Sequence, residues 1–220
     1  MVHGGPGADG DLGDMAARLS YRHGVLEPMQ TATTIEGQVD ELRAVIEARA
    51  DPPVHLLGHS WGAWLAGLLA ARHPCLVRKL ILVASGPFEA RYVPELSATR
   101  AERQAAGGDT DNCALITPLA AEARSLPHVP VPGMLELIWP AASQLRASGA
   151  LLDAVAAIKC PVVAIHGDYD PHPVEGVRDP LTRVLPDFRM VLLERCGHSP
   201  WRERYAADSF YTVVEREITT

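Results

Sequence analysis

The chain has 220 residues, 47% of them hydrophobic and 21% charged. That balance suits one globular unit with its own core and excludes a disordered polyelectrolyte or a membrane bundle. The formal charge is -7 with pI near 5.7, and no Lys/Arg block or basic helical stripe offers a footprint for a polyanion, so nucleic acid is not an expected partner. Cys75, Cys113, Cys160 and Cys196 are scattered without a CxxC pair, the usage expected of reduced thiols in the cytoplasm.

The first periodic stretch in chain order is "TTIEGQVDELRAVIEARA", which puts Ile35, Val39, Leu42 and Ile46 on one helical face, with Thr33 and Glu36 spaced as a capping box. A short apolar run, Val54 to Leu57, leads into "GHSWG", and Trp61 to Arg72 is then apolar nearly all round until "HP" stops it. This reads as strand, sharp turn and buried helix, and the apolar run is too short to span a bilayer, so no membrane partner is expected. "KLILVAS" (Lys79 to Ser85), "PVVAIHG" (Pro161 to Gly167) and "RMVLLER" (Arg189 to Arg195) are further short runs rich in β-branched residues. They do not alternate, as befits strands covered on both faces, and the helical stretches between them predict a parallel sheet. From Pro87 to Ile158 prolines, alanines and short helical pieces replace strands, which predicts a helical cap insertion at 87–158 between core parts at 1–86 and 159–220. Trp201, Tyr205, Phe210, Val213, Val214 and Ile218 recur at near-helical intervals, predicting a closing helix packed on the sheet.

The chemistry gathers at strand ends. "LLGHSWGA" contains G-x-S-x-G as Gly58, Ser60 and Gly62, between a strand and a buried helix. A serine at the apex of such a turn leaves room only for very small residues two positions either way, and the helix that follows aims free N–H groups at developing negative charge. A hydroxyl needs a histidine to take its proton and a carboxylate to orient that histidine. "IHGDYDPHP" supplies Asp168 and Asp170, and "ERCGHSPW" supplies His198. His166, Asp168, Asp170 and His172 alternate like metal ligands, but Pro171 interrupts the strand that would align them, so no metal is expected. His59 reads as a packing residue of the turn, Cys196 as a buried small hydrophobe, and His55 and His73 as structural. Trp61, Trp139, Met134, Phe88 and Trp201 are apolar residues that could wall an acyl pocket or simply fill the core, with Trp61 tied to the site by its place after Ser60.

The order Ser, Asp, His with a G-x-S-x-G elbow resembles the α/β-hydrolase fold over nearly the whole chain outside the cap, and "HGGPG" (His3 to Gly7) resembles the loop of the proline iminopeptidase branch and its esterase, amidase and C–C hydrolase relatives. The resemblance implies an α/β fold, Ser60 as nucleophile, Asp170 as orienting acid, His198 as general base and then acid, and an oxyanion hole from the backbone N–H groups of Gly5 and Trp61. It implies hydrolysis of a small ester or amide through an acyl-enzyme without a cofactor; of the apolar residues above, Trp61 and Trp139 are the candidates for substrate contact. Iminopeptidase activity would draw on acidic cap residues, for which Glu89, Glu95, Glu102, Glu122 and Glu136 are available. A ligand-binding or weakly active protein, acyl transfer and C–C cleavage are alternatives on the same fold. In that family the strand feeding the HGGPG loop lies beside the serine strand and follows two others, whereas here Met1 and Val2 are all that precede His3. The expectation is a shortened N-terminus whose loop frays and holds Gly5 loosely, weakening turnover.

Overall fold

The computed structural model describes residues 1–116 and 131–220. Its sheet contains β1 (Val54–His59), β2 (Val77–Val83), β3 (Val162–Gly167) and β4 (Phe188–Leu193), ordered β1-β2-β3-β4 with every pair parallel. The near-continuous apolar runs follow from burial on both faces, and successive side chains divide between them. Leu80 and Leu82 of β2, with Val162 and Ala164 of β3, meet one core, and Ile81, Val83, Val163 and Ile165 meet the other.

The first core is covered by α2 (Ile35–Arg49), α3 (Trp61–Arg72), α6 (Ala150–Val155) and α7 (Glu175–Val184); the second by α1 (Gly13–Leu19) and α8 (Ala207–Thr219). The apolar helix α3 lies against both β1 and α2, which explains why ten of its twelve residues are buried. Between β2 and β3 the described residues form α4 (Val93–Ala105), α5 (Met134–Ala147) and α6, with Leu151 and Val155 of α6 inside the first core. The closing helix is present as α8, which starts at Ala207, while Trp201 sits in a separate 3₁₀ turn and packs on Phe210. No helix among the described residues is long and apolar enough to cross a membrane.

The cap of α2 differs from the predicted one. Thr34, not Thr33, is the N-cap, with extended backbone and Oγ1 accepting from Gly37 N–H at 3.0 Å. Ile35 must enter the core, so the helix begins there, and the residue immediately before it becomes the cap.

Val2 forms a parallel bridge with Gly58 of β1, donating to Leu57 O at 2.7 Å and accepting from His59 N–H at 3.0 Å. The segment feeding the HGGPG loop therefore lies beside the serine strand. The loop is also tied down further along: His3 is buried, and its carbonyl accepts from Gln30 Nε2 at 3.0 Å. Gln30 Oε1 accepts from Trp61 Nε1 at 3.1 Å, and the same indole N–H reaches Gln38 Oε1 at 3.1 Å. The loop is bonded to β1 and, through buried amides, to α2 and α3, because a buried backbone must find partners for its polar groups.

Candidate active site

Ser60 stands between β1 and α3 at φ 53° and ψ -117°, a conformation that side chains rarely adopt and that lifts the residue out of the strand direction. Its N–H is held by Val83 O at 3.0 Å. A Cβ on Gly58 would lie 2.2 Å from Gly62 O, and one on Gly62 would lie 2.2 Å from Val2 O, so the glycines of the motif are required by close approach of backbone on both sides. The HGGPG loop crosses directly over the elbow: a Cβ on Gly4 would come within 3.2 Å of Ser60 Cβ.

Asp170 and His198 leave the ends of β3 and β4 and meet. His198 Nδ1 donates to Asp170 Oδ2 at 2.9 Å. Asp168 turns away to accept from Cys196 N–H at 3.1 Å, which separates the two aspartates that sequence alone left as alternatives. The His198 loop is held by the segment after α4: His198 N–H donates to Asp111 O at 2.9 Å, and Ser199 N–H to Asn112 Oδ1 at 3.1 Å. The buried Glu203 carboxylate braces both sides, accepting from Cys113, Ala114 and Gly197 N–H groups at 2.7 to 2.9 Å. Next to the serine, His59 packs as the turn requires: Nε2 donates to His198 O at 2.9 Å, and its ring lies 4.8 Å from the His198 ring and 4.7 Å from that of Trp201.

Sequence reasoning missed a second histidine on Asp170. His172 Nδ1 donates to Oδ1 at 2.7 Å, its backbone N–H does so at 2.9 Å, and its ring stacks on His198 at 4.7 Å. The spacing Asp-Pro-His was the available signal, since a turn after a carboxylate returns the residue two positions on toward it. Asp170, His172 and His198 also form a group among the described residues whose ligand atoms come close enough to hold a metal. Each imidazole Nδ1 is instead engaged by its own carboxylate oxygen. Burial opposes the charge on Asp170, but His198, His172 and His166 around it hold the carboxyl well below its ordinary range. Burial likewise opposes a charged His198, yet the Asp170 carboxylate and the hydrogen bond to it outweigh that and raise its pKa. The effect of burial dominates at His59, which is pushed well down, and at Cys196, whose thiol is pushed far up, the direction that opposes the thiolate form.

A cavity of about 310 Å³ opens beside Ser60; its lining includes Gly5, Trp61 and Trp139, which the sequence reading named, and Trp64, Arg146 and His172, which it did not. Phe88, Met134 and Trp201 are buried in the cores instead, because their side chains face neighbouring elements rather than the cavity. Glu89, Glu95, Glu102 and Glu136 are not among the residues lining the cavity; Glu89 pairs with Arg91 and Arg183, and Glu122 lies outside the described residues. A larger cavity of about 1100 Å³ runs along the outer edge of β1, lined by Leu42, Ile46, Leu56 and Val214, and contains none of these groups. All four cysteines are free.

A serine at a strand-to-helix turn, a His–Asp pair at the next strand ends and a small lined cavity are parts that nucleophilic acyl chemistry uses. Over 170 residues the chain is 28% identical to a pimeloyl-[acyl-carrier protein] methyl ester esterase of Neisseria meningitidis serogroup C, covering 71% of this chain. It spans 66% of that protein's length and 54% of its serogroup A counterpart's. The fold is similar to a crystal structure of Paleococcus ferrophilus monoacylglycerol lipase, with TM-score 0.66 and 17% identity over 99% of this chain and 91% of that one. It is also similar to Mycobacterium smegmatis proline iminopeptidase, with TM-score 0.63 and 20% identity over 99% and 88% of the two chains. The sequence matches the alpha/beta hydrolase family over residues 3–208, and with the parallel sheet and elbow above it the chain belongs to the α/β-hydrolase family.

Proposed function

We propose that the protein is a serine hydrolase of small carboxylic esters working through an acyl-enzyme. The observation that carries this reading is the Asp170–His198 hydrogen bond of 2.9 Å at the strand ends beside the Ser60 elbow. In this reading Ser60 Oγ attacks the ester carbonyl carbon as His198 Nε2 takes its proton; the carbonyl π electrons move to oxygen, where the N–H groups of Gly5 and Trp61 receive the charge. The C–O bond then breaks and His198 returns the proton to the departing alcohol. Water repeats the sequence on the acyl-enzyme and frees the acid. The insertion at 87–158 acts as a cap that limits entry to small substrates, no cofactor takes part, and the bonds holding the HGGPG loop support an ordered oxyanion site.

An ester is favoured over the aminoacyl substrate of an iminopeptidase because Arg146, whose Nε has no hydrogen-bond partner, lines the cavity and repels an ammonium group. The methyl ester specificity of the Neisseria relatives points the same way. Labelling by a fluorophosphonate probe tests the mechanism. The expected result is stoichiometric labelling that Ser60→Ala abolishes, together with turnover of p-nitrophenyl esters and not of aminoacyl-p-nitroanilides; an unlabelled, well-folded protein overturns it.

A further inference from the structure

Arg146 is 8% exposed, and its Nε has no hydrogen-bond partner in the structure. It projects from α5 to the cavity beside Ser60, where its guanidinium carbon lies 5.4 Å from the Trp64 ring and 5.9 Å from the Trp139 ring. Those two indoles are stacked, with centroids 6.1 Å apart and planes within 9°. Aromatic faces compensate part of the desolvation of a buried cation, but they accept none of its directed N–H bonds. Burial pulls the Arg146 pKa down, though the group stays a cation. The other arginine of the lining, Arg100, is already neutralised by Asp111 at 2.7 Å, and no carboxylate lines the cavity among the described residues. A buried guanidinium of this kind is costly unless an anion completes it.

We propose that Arg146 binds a carboxylate carried by the substrate at the end remote from the scissile bond, so that the preferred substrates are short esters bearing one negative charge. The inference rests on the hydrolase reading for its kinetics and on Arg146 alone for its binding. The planar fork of the guanidinium suits a carboxylate, the indoles flank the chain that leads to it, and a cavity of about 310 Å³ limits that chain to a few carbons.

The test compares mono-p-nitrophenyl glutarate with p-nitrophenyl valerate, and 3-acetoxybenzoate with phenyl acetate, at fixed ionic strength. The first pair carries the charge on the acyl side and the second on the alcohol side. In one of the pairs kcat/KM is expected to favour the charged ester by about 10- to 100-fold. Arg146→Met is expected to erase that ratio, and Arg146→Lys to keep part of it; circular dichroism confirms that each variant is folded. Equal rates within both pairs for the native protein, or a ratio that survives Arg146→Met, would overturn the proposal. Glutarate binding to Ser60→Ala, followed by tryptophan fluorescence, is independent of turnover. Saturable binding lost in Ser60→Ala/Arg146→Met supports the anion site even where no ester is hydrolysed, whereas absence of binding to Ser60→Ala refutes it even where esters are.

Discussion

Gly62→Ala probes the contact between the elbow and the HGGPG loop. The new Cβ would stand 2.2 Å from Val2 O and 2.5 Å from His3 O, against backbone that has no rotamer to change. Relief requires the loop to retreat by about 1 Å, since non-bonded carbon atoms need about 3.5 Å and carbonyl oxygens only slightly less. That movement stretches the bonds from Val2 to Leu57 and His59, now 2.7 and 3.0 Å. Overpacking of this kind costs about 1–3 kcal/mol, and one weakened backbone hydrogen bond adds about 1 kcal/mol. The same retreat carries Gly5 away from Ser60, so the proposed oxyanion donor is misplaced and kcat is expected to fall by about 10²- to 10³-fold with little change in KM. Urea unfolding and p-nitrophenyl ester kinetics measure the two effects. Gly13→Ala is the control: nothing lies within 4 Å of its Cβ position, and it is expected to leave stability unchanged or slightly raised with activity intact. A Gly62→Ala protein with native unfolding midpoint and native kcat would refute the claim that this contact positions the site.

Asp170→Asn removes the charge behind His198 and is expected to lower ester kcat by about 10⁴-fold, with a matching loss in the rate of fluorophosphonate labelling; a loss under tenfold would mean that His198 does not depend on it. Because the net field of Asp170 raises His198 above its ordinary 6.5, kcat/KM should rise with pH through a limb centred above 6.5, the imidazolium below it being unable to take the serine proton; a limb centred lower would contradict the assignment. His172→Leu leaves Asp170 with one fewer donor and a stronger bond to His198, so the limb should move to higher pH, while a purely structural role would leave it in place. Glu217 is buried beneath Lys79, Arg189 and Arg216; burial opposes its charge, but these partners hold its pKa down at about 2 from an ordinary 4.5. Its stabilisation is therefore complete above pH 4.5 and lost as pH falls through about 2. Glu217→Gln should be less stable than the native protein by about 1–2 kcal/mol at pH 7, the partly exposed arginines being screened, and the gap should shrink at pH 3 in urea titrations.

Local chemistry with fixed spacing was legible in the chain. The elbow is readable because backbone crowding at Gly58 and Gly62 forbids larger residues whatever surrounds them, and the buried strands are readable because both of their faces are covered. Strand ends marked the places where Asp170 and His198 emerge; the family resemblance pointed to Asp170, while the spacing alone left Asp168 open because both leave the same turn and only their partners differ. Thr34 displaced Thr33 as cap because the core claimed Ile35. The residues around the site are set by packing between distant segments: Gln30 links His3 to Trp61, Asp111 and Asn112 hold the His198 loop, and Arg146 is buried beside Trp64 and Trp139. No periodicity or motif encodes such pairings, because the free energy of a contact depends on which surfaces meet and not on the separation of its residues along the chain.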